Sequence, residues 1–139
     1  MSEAPKNIVT DEDIYANNYH YFYNSLLILS EDSEAQCQVM GFYNVAWEIR
    51  DDMLNSGYTV LNTSPLQLSD DQKNCIRRLL ERVADIPKSI FNVLNSKDAQ
   101  LRAMNDPAWV PLREEAKQVI SILTAETDRV NAILDIEHS

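Results

Sequence analysis

Glycine is nearly missing from this chain, with only Gly41 and Gly57 among 139 residues. So little glycine argues against turn-rich β structure, and no glycine-rich loop is present to cradle a phosphate. Cysteine is as scarce. Cys37 and Cys75 lie outside any CxxC or zinc-type spacing, which predicts two small buried thiols instead of a disulfide or a ligand pair. The histidines are His20, in the middle of a predicted helix, and His138, next to the last residue. No HExxH, Glu-x-x-His or EF-hand pattern accompanies them, so neither a histidine-based nucleophilic site nor an ordinary helical metal site is expected. No apolar run is longer than residues 26–29, far short of the roughly 20 residues that cross a bilayer. A basic start followed by an apolar segment and a small-residue cleavage site is absent too, and a cytoplasmic location is the expectation.

Bases are missing from one half. Residues 1–72 hold twelve acids against two bases, Lys6 and Arg50, whereas residues 73–139 hold ten of each. The whole net charge of −10 therefore belongs to the first half. Such asymmetry speaks about partners and solubility and leaves the fold open.

At 45% hydrophobic and 24% charged, the chain has the composition of a soluble globular protein. One domain over residues 10–139, after a flexible arm at residues 1–9, suits its length. Helical periodicity dominates. Thr10 with Asp13 forms a capping-box pattern, and the stripe Tyr15, Tyr19, Phe22, Leu26, Leu29 repeats at spacings of 4 and 3. Ser30 or Ser33 is the expected cap of a second helix with the stripe Ala35, Val39, Phe42, Ala46, Ile49, Met53. Gly41 within it suggests a close crossing, and Gly57 its stop. Residues 58–68 carry no helical period and predict a long extended connection.

Ser69 with Gln72 caps a third helix, whose stripe Ile76, Leu79, Val83, Ile86, Ile90, Val93 runs through Pro87 in register. This predicts a kinked helix or two nearly collinear ones broken near Asp85. A short helical piece follows over residues 96–104, and Asp106-Pro107 opens a last helix reaching about residue 136. The fold expected is all-α: a four-helix bundle, up-down-up-down, with the long connection between helices two and three and a kink or break near Pro87.

Most of the acid has a local explanation. Asp11, Glu12, Asp13, Glu31, Asp32, Glu34, Asp70, Asp71 and Asp106 fall at predicted helix starts, where the macrodipole favours negative charge. Glu48, Asp51 and Asp52 near the predicted end of helix two, with Asp135 and Glu137, do not. In an up-down-up-down bundle these residues would meet the starts of helices one and three at one pole. Glu48, Asp51 and Asp52 share a helix face that could attract a cation, although a solvated face explains them better and no metal site is expected.

Tyr21 and Tyr23 fall off the first stripe, and amphipathic rings of this kind suit partner surfaces as well as domain edges. The basic run Lys73, Arg77, Arg78, Arg82 lies opposite the apolar stripe of helix three. The tyrosines sit in the acidic half, so a direct nucleic-acid surface is not expected. Ten charges gathered at helix ends also fall short of duplex DNA, which carries one charge per roughly 1.7 Å, so mimicry of it is disfavoured.

These readings predict a non-enzymatic acidic protein, without catalytic residues or cofactor, that binds and neutralises or regulates a basic protein partner as an inhibitor, immunity protein or antitoxin does. Glu48, Asp51, Asp52, Asp11, Glu12 and Asp13 would steer the partner, and Tyr21, Tyr23, Trp47 and Tyr58 would anchor it. The alternatives are a scaffold module that self-associates, as a homodimer for example, and a bundle that binds or transforms a small molecule.

Overall fold

A computed structural model describes residues 10–63 and 67–135, so the arm at residues 1–9 lies outside the described residues. They form an all-α protein, and no strand occurs among them. Among the described residues, seven α-helices take the place of the four long helices and one short piece expected: α1 (Asp11–Ser30), α2 (Ser33–Val39), α3 (Val45–Thr63), α4 (Asp70–Ala84), α5 (Lys97–Met104), α6 (Trp109–Ile122) and α7 (Thr124–Ile133). None is long and apolar enough to cross a membrane.

α1 begins where its capping box says it should. The Thr10 hydroxyl accepts from the Asp13 amide at 3.1 Å and the Asp13 carboxylate accepts from the Thr10 amide at 3.2 Å. Its predicted stripe is buried along its whole length, from Tyr15 to Leu29. α2 is capped by Asp32, whose carboxylate accepts from the Ala35 amide at 2.8 Å. Neither expected serine does this: Ser30 bonds back to the Leu27 carbonyl, and Ser33 reaches Asn105.

The expected second helix is broken. Gly41, Phe42 and Asn44 all take positive φ, at 67°, 56° and 42°. For Phe42 and Asn44 this left-handed backbone costs about 1–2 kcal/mol each, and specific contacts hold it. The Phe42 amide bonds the Cys37 carbonyl at 2.8 Å and Lys97 lies over the Phe42 ring. The side chains of Asn95 and Gln100 accept from the Asn44 and Val45 amides at 3.0 and 2.8 Å. Gln100, buried in α5, thereby satisfies the first orphan donor of α3.

The two glycines have the reverse of their expected roles. Gly41 is the helix stop: a Cβ there would meet nothing, so its backbone angle alone calls for glycine. Gly57 is the close crossing, buried inside α3, where a Cβ would lie 2.6 Å from Cδ2 of Leu80. α3 therefore continues through Tyr58, Val60 and Leu61 to Thr63, and most of the expected extended connection is helix. Residues 64–66 lie outside the described residues.

α4 opens on the Ser69–Gln72 capping box and ends at Asp85, as its sequence predicts. No collinear helix follows. Pro87 starts a single 3₁₀ turn, Lys88–Ile90, which tucks Ile86 and Ile90 into the core before α5 starts at the Ser96 cap. The last helix is interrupted once, at buried Leu123, whose amide reaches the carbonyls of both Val119 and Ile120.

α1, α3, α4 and α6 touch in a closed ring around the core, each packing against the next. α7 adds to α1 and α6, and α2 and α5 pack on each other beside α1 and α3. Hydrogen bonds fix which ends meet. Gln72 at the start of α4 reaches the Ile122 carbonyl at the end of α6, and Tyr15 and Tyr19 of α1 bond α7 residues at the same end. Arg50, early in α3, donates to the Ala84 carbonyl at the far end of α4 (3.2 Å).

Opposite rescues should separate the two glycines in urea denaturation. Gly41→Ala should cost about 1–2 kcal/mol through its backbone, and Gly41→Asn less, since asparagine tolerates the left-handed region. Gly57→Val should cost about 1–3 kcal/mol by overpacking. Joined to Leu80→Ala, it should lose less than the two single losses together.

Candidate functional site

At 100° per residue, α3 turns Trp47, Asp51, Leu54 and Tyr58 onto one outward row, opposite its buried residues Val45, Ile49, Met53 and Val60. Trp47 is 45% and Tyr58 41% exposed, large values for aromatic side chains on one helix face. Glu48, Asp52, Asn55, Ser56 and Thr59 follow on the flank turned toward α1. Between that flank and α1 lies an open groove of about 520 Å³. Its other bank is Asn18, Tyr21, Asn24, Ser25 and Ile28, with Tyr21 70% exposed.

Six of the ten residues picked from the sequence therefore stand on one side of the molecule: Tyr21, Trp47, Glu48, Asp51, Asp52 and Tyr58. The other four do not join them. Tyr23 lies on a different face of α1 and stacks on Tyr19, ring centroids 6.3 Å apart and planes 10° from parallel. Asp13 is held in the α1 capping box, and Glu12 pairs with Arg129 at 3.2 Å.

The expected pole of acids loses Glu48, Asp51 and Asp52, because α3 restarts after Gly41, and Glu137 lies outside the described residues. Glu48 falls in the first turn of α3 instead of near a helix end, so the dipole favours it. It also stands at the end of the ring away from Asp11, Glu12 and Asp13, since the start of α3 meets the end of α4.

On this side, charge goes largely uncompensated. Arg50, the one base between residues 7 and 72, turns toward α4, where it bonds the Ala84 carbonyl and lies over the Phe91 ring. Asp51 accepts from the Asn55 amide at 3.1 Å. Partial burial raises the Asp52 carboxyl above the usual aspartate value, and Glu48 and Asp51 raise it further. Among the described residues, no three His, Cys, Asp or Glu side chains converge as metal ligands would, Glu48, Asp51 and Asp52 included.

The basic run on α4 is partly engaged. Arg77 bonds Asn74 at 2.8 Å and Arg82 pairs with Glu115 at 2.6 Å. Arg78, Arg82 and Glu115 border a smaller groove of about 280 Å³ against α6, with half-buried Cys75. Cys37 is fully buried, and its burial raises the thiol while nearby Arg113 opposes the shift. His20 lies 3.3 Å from the Asn24 amide, and among the described residues no carboxylate hydrogen-bonds it to form a base–carboxylate relay.

Sequence reasoning missed a buried polar network. The Tyr15 hydroxyl donates to Glu126, and Arg129 grips the same carboxylate with two bonds of 2.8 Å while lying over the Tyr15 ring. Tyr19 hydrogen-bonds Thr127 at 2.7 Å. Burial raises both phenols far above their ordinary range, with the Glu126 bond adding to the shift at Tyr15. The same carboxylate raises Arg129. Every charged member has a partner, so the arrangement locks α1 to α7 and holds no poised nucleophile. Thr127 continues the helical apolar row Leu112, Ala116, Val119, Leu123 into Val130, but nothing in the local pattern marks Glu126 as buried.

Comparison with protein-family models, with curated proteins and with solved structures finds no match to this chain.

Two substitutions test these assignments. Arg129→Met leaves Glu126 buried without its charged donors and should cost about 1–3 kcal/mol in chemical denaturation. Asp52→Asn should act the other way. Because folding raises this carboxyl, the folded chain holds the proton more tightly than the unfolded one, and stability falls as pH rises from the ordinary aspartate value through the raised one. The variant should be more stable at neutral pH, by no more than about 0.5 kcal/mol given solvent screening. Below the ordinary aspartate range, the two melting curves should coincide.

Proposed function

We propose that this chain is a cytoplasmic, non-enzymatic protein that binds a protein with a basic functional surface and neutralises or regulates it, as an inhibitor, immunity protein or antitoxin does. The docking side is the outward face of α3 with the adjoining bank of α1. One observation carries the reading: exposed Trp47, Tyr58 and Tyr21 lie beside Glu48, Asp51 and Asp52, and the nearest base, Arg50, is turned into α4. Acids with no base among them steer a basic partner and raise its encounter rate. Aromatic rings that give up water on docking supply most of the binding energy.

The frame behind this surface is a bundle of the four longer helices, α1, α3, α4 and α6, running up-down-up-down, with α2, α5 and α7 as additions. The closed ring of packing and the end-to-end hydrogen bonds of Gln72 and Arg50 support that order. It sets α1 and α3 side by side as one continuous face.

Capture from the native host with the tagged chain, compared with Glu48→Lys/Asp51→Lys/Asp52→Lys and with Trp47→Ala/Tyr58→Ala, tests the proposal. A basic protein should be retained by the wild-type chain and lost by both variants. With that protein purified, charge reversal should slow association by about tenfold or more at low salt, and the difference should shrink as salt rises. Unchanged association would reject this face. Sedimentation at several concentrations completes the test, because self-association removed by Trp47→Ala/Tyr58→Ala would make a second copy the occupant and overturn the proposal.

A further inference from the structure

We propose that the groove between α1 and α3 receives a guanidinium group, with Asp52 as its counter-ion and the Tyr21 ring as its flanking surface. The occupant is an arginine side chain of the basic partner. That choice of source rests on the docking reading above; the groove's own chemistry does not.

The inference comes from where the groove's hydrogens point. A hydroxyl has one hydrogen to donate, and each serine and threonine hydroxyl lining this groove donates it back along its own helix. Ser25 donates to the Tyr21 carbonyl at 3.1 Å, Ser56 to that of Asp52 at 2.6 Å and Thr59 to that of Asn55 at 2.7 Å. What these side chains leave for a ligand is lone pairs. Asn55 donates one amide hydrogen to Asp51, and the Asn24 amide lies 3.3 Å from the His20 ring nitrogen. The Asp52 carboxylate adds a formal negative charge and joins none of the ion pairs among the described residues.

The Tyr21 hydroxyl and the Asn18, Asn24 and Asn55 amides add donors, but the Asp52 charge repels phosphates and carboxylates, and with the lone pairs of Ser25, Ser56 and Thr59 it fits a cation with many N–H donors and no acceptor. Guanidinium is that group, with five donors in a planar fork. An ammonium needs its acceptors gathered round a point, whereas these run along about two turns of each helix. The exposed Tyr21 ring offers the flat face over which guanidinium cations sit. A cation here would also relieve the repulsion among Glu48, Asp51 and Asp52, which adds to partial burial in raising the Asp52 carboxyl. At about 520 Å³ the groove falls within the roughly 300–1,000 Å³ of small-ligand sites.

The test is a titration of the ¹⁵N-labelled full chain with three probes: N-acetylarginine N-methylamide, N-acetyllysine N-methylamide and agmatine. The arginine probe should give saturable shifts at the side-chain amides of Asn18, Asn24 and Asn55. Asp52→Asn should weaken it about tenfold, the loss of a charge-assisted pair. Asp52→Glu should recover part of the affinity, and Asp71→Asn, at the exposed start of α4, should leave it unchanged. Shifts spread over all the acids, equal losses in Asp52→Asn and Asp71→Asn, or a lysine probe as tight as the arginine probe would each overturn the proposal. Agmatine binding much more tightly than capped arginine would replace the partner's side chain with a free guanidino compound.

The two readings fail separately. A partner lost on triple charge reversal, with no arginine-probe binding, rejects the groove and keeps the docking face. Probe binding through Asp52, with partner association indifferent to the triple reversal, does the opposite.

Discussion

A tyrosine hydroxyl buried in the core must be hydrogen-bonded, and α1 buries two of them, Tyr15 and Tyr19, each about 1% exposed. Much of the architecture answers that demand. Glu126 supplies an acceptor for Tyr15, but a carboxylate at that depth is itself costly unless neutralised, and Arg129 arrives from the same helix to grip it. Arg129 then reaches back to Glu12 in the first turn of α1. A chain of three charges and a phenol thus closes on itself between α1 and α7. With Thr127 on Tyr19, it fixes how the last helix lies against the first, one turn beyond the interruption at Leu123.

A second polar set does the same work at the other end of the ring. Gln36 donates to the carbonyls of Ile28 and Leu29 at the end of α1 and accepts from Arg113. Arg113 also donates to the Met104 carbonyl, which closes the end of α5 onto α6. Burial lowers the Arg113 pKa, and Asp32 opposes that shift. Gln100 completes the set by accepting from the first amide of α3, that of Val45. Short helices such as α2 and α5 have little intrinsic stability, and these buried amides and the guanidinium give them a defined place.

What could be read from the sequence divides along the same line. Capping boxes at Thr10 and Ser69, the cap at Ser96 and the stop at Asp85 are local patterns, and they stand where the residues indicate. The stripe of α1 is legible for the same reason. The break at residues 40–44 is not, because it depends on Asn95 and Gln100, some fifty residues away, to hold a left-handed backbone. The apolar period conceals it by continuing in phase from Ala35 to Met53, although Val39 within that stripe is 61% exposed. The roles of Gly41 and Gly57 were unreadable in the same way. One glycine relieves a dihedral and the other a contact with Leu80, and a sequence shows neither. For the candidate site, helical spacing groups Glu48, Asp51 and Asp52 on one face, whereas Tyr58 joins Trp47 beside them only because α3 runs on past Gly57, and the packing of α1 adds Tyr21. That Ser25, Ser56 and Thr59 offer the groove lone pairs depends on where their hydrogens point, and this becomes visible only once both banks are placed.

The restart of α3 also changes what the first-half charge means. Asp11, Glu12 and Asp13 belong to one end of the ring and Glu48 to the other, and a helix of the length of α3 spans about 28 Å. Physiological salt screens over about 8 Å, so the two acidic groups act as separate fields and not as one pole. The α1 group is already engaged, in a cap, a helix dipole and the pair with Arg129. Glu48 is favoured by its own dipole, but that interaction leaves its outer surface open to a partner. Asp51 and Asp52, at the seventh and eighth positions of α3, have neither a cap nor a helix start to explain them. Trp47 and Tyr58 stand beside these two acids and Tyr21 faces them across the groove, so the part of the charge unaccounted for by folding coincides with the exposed aromatic surface.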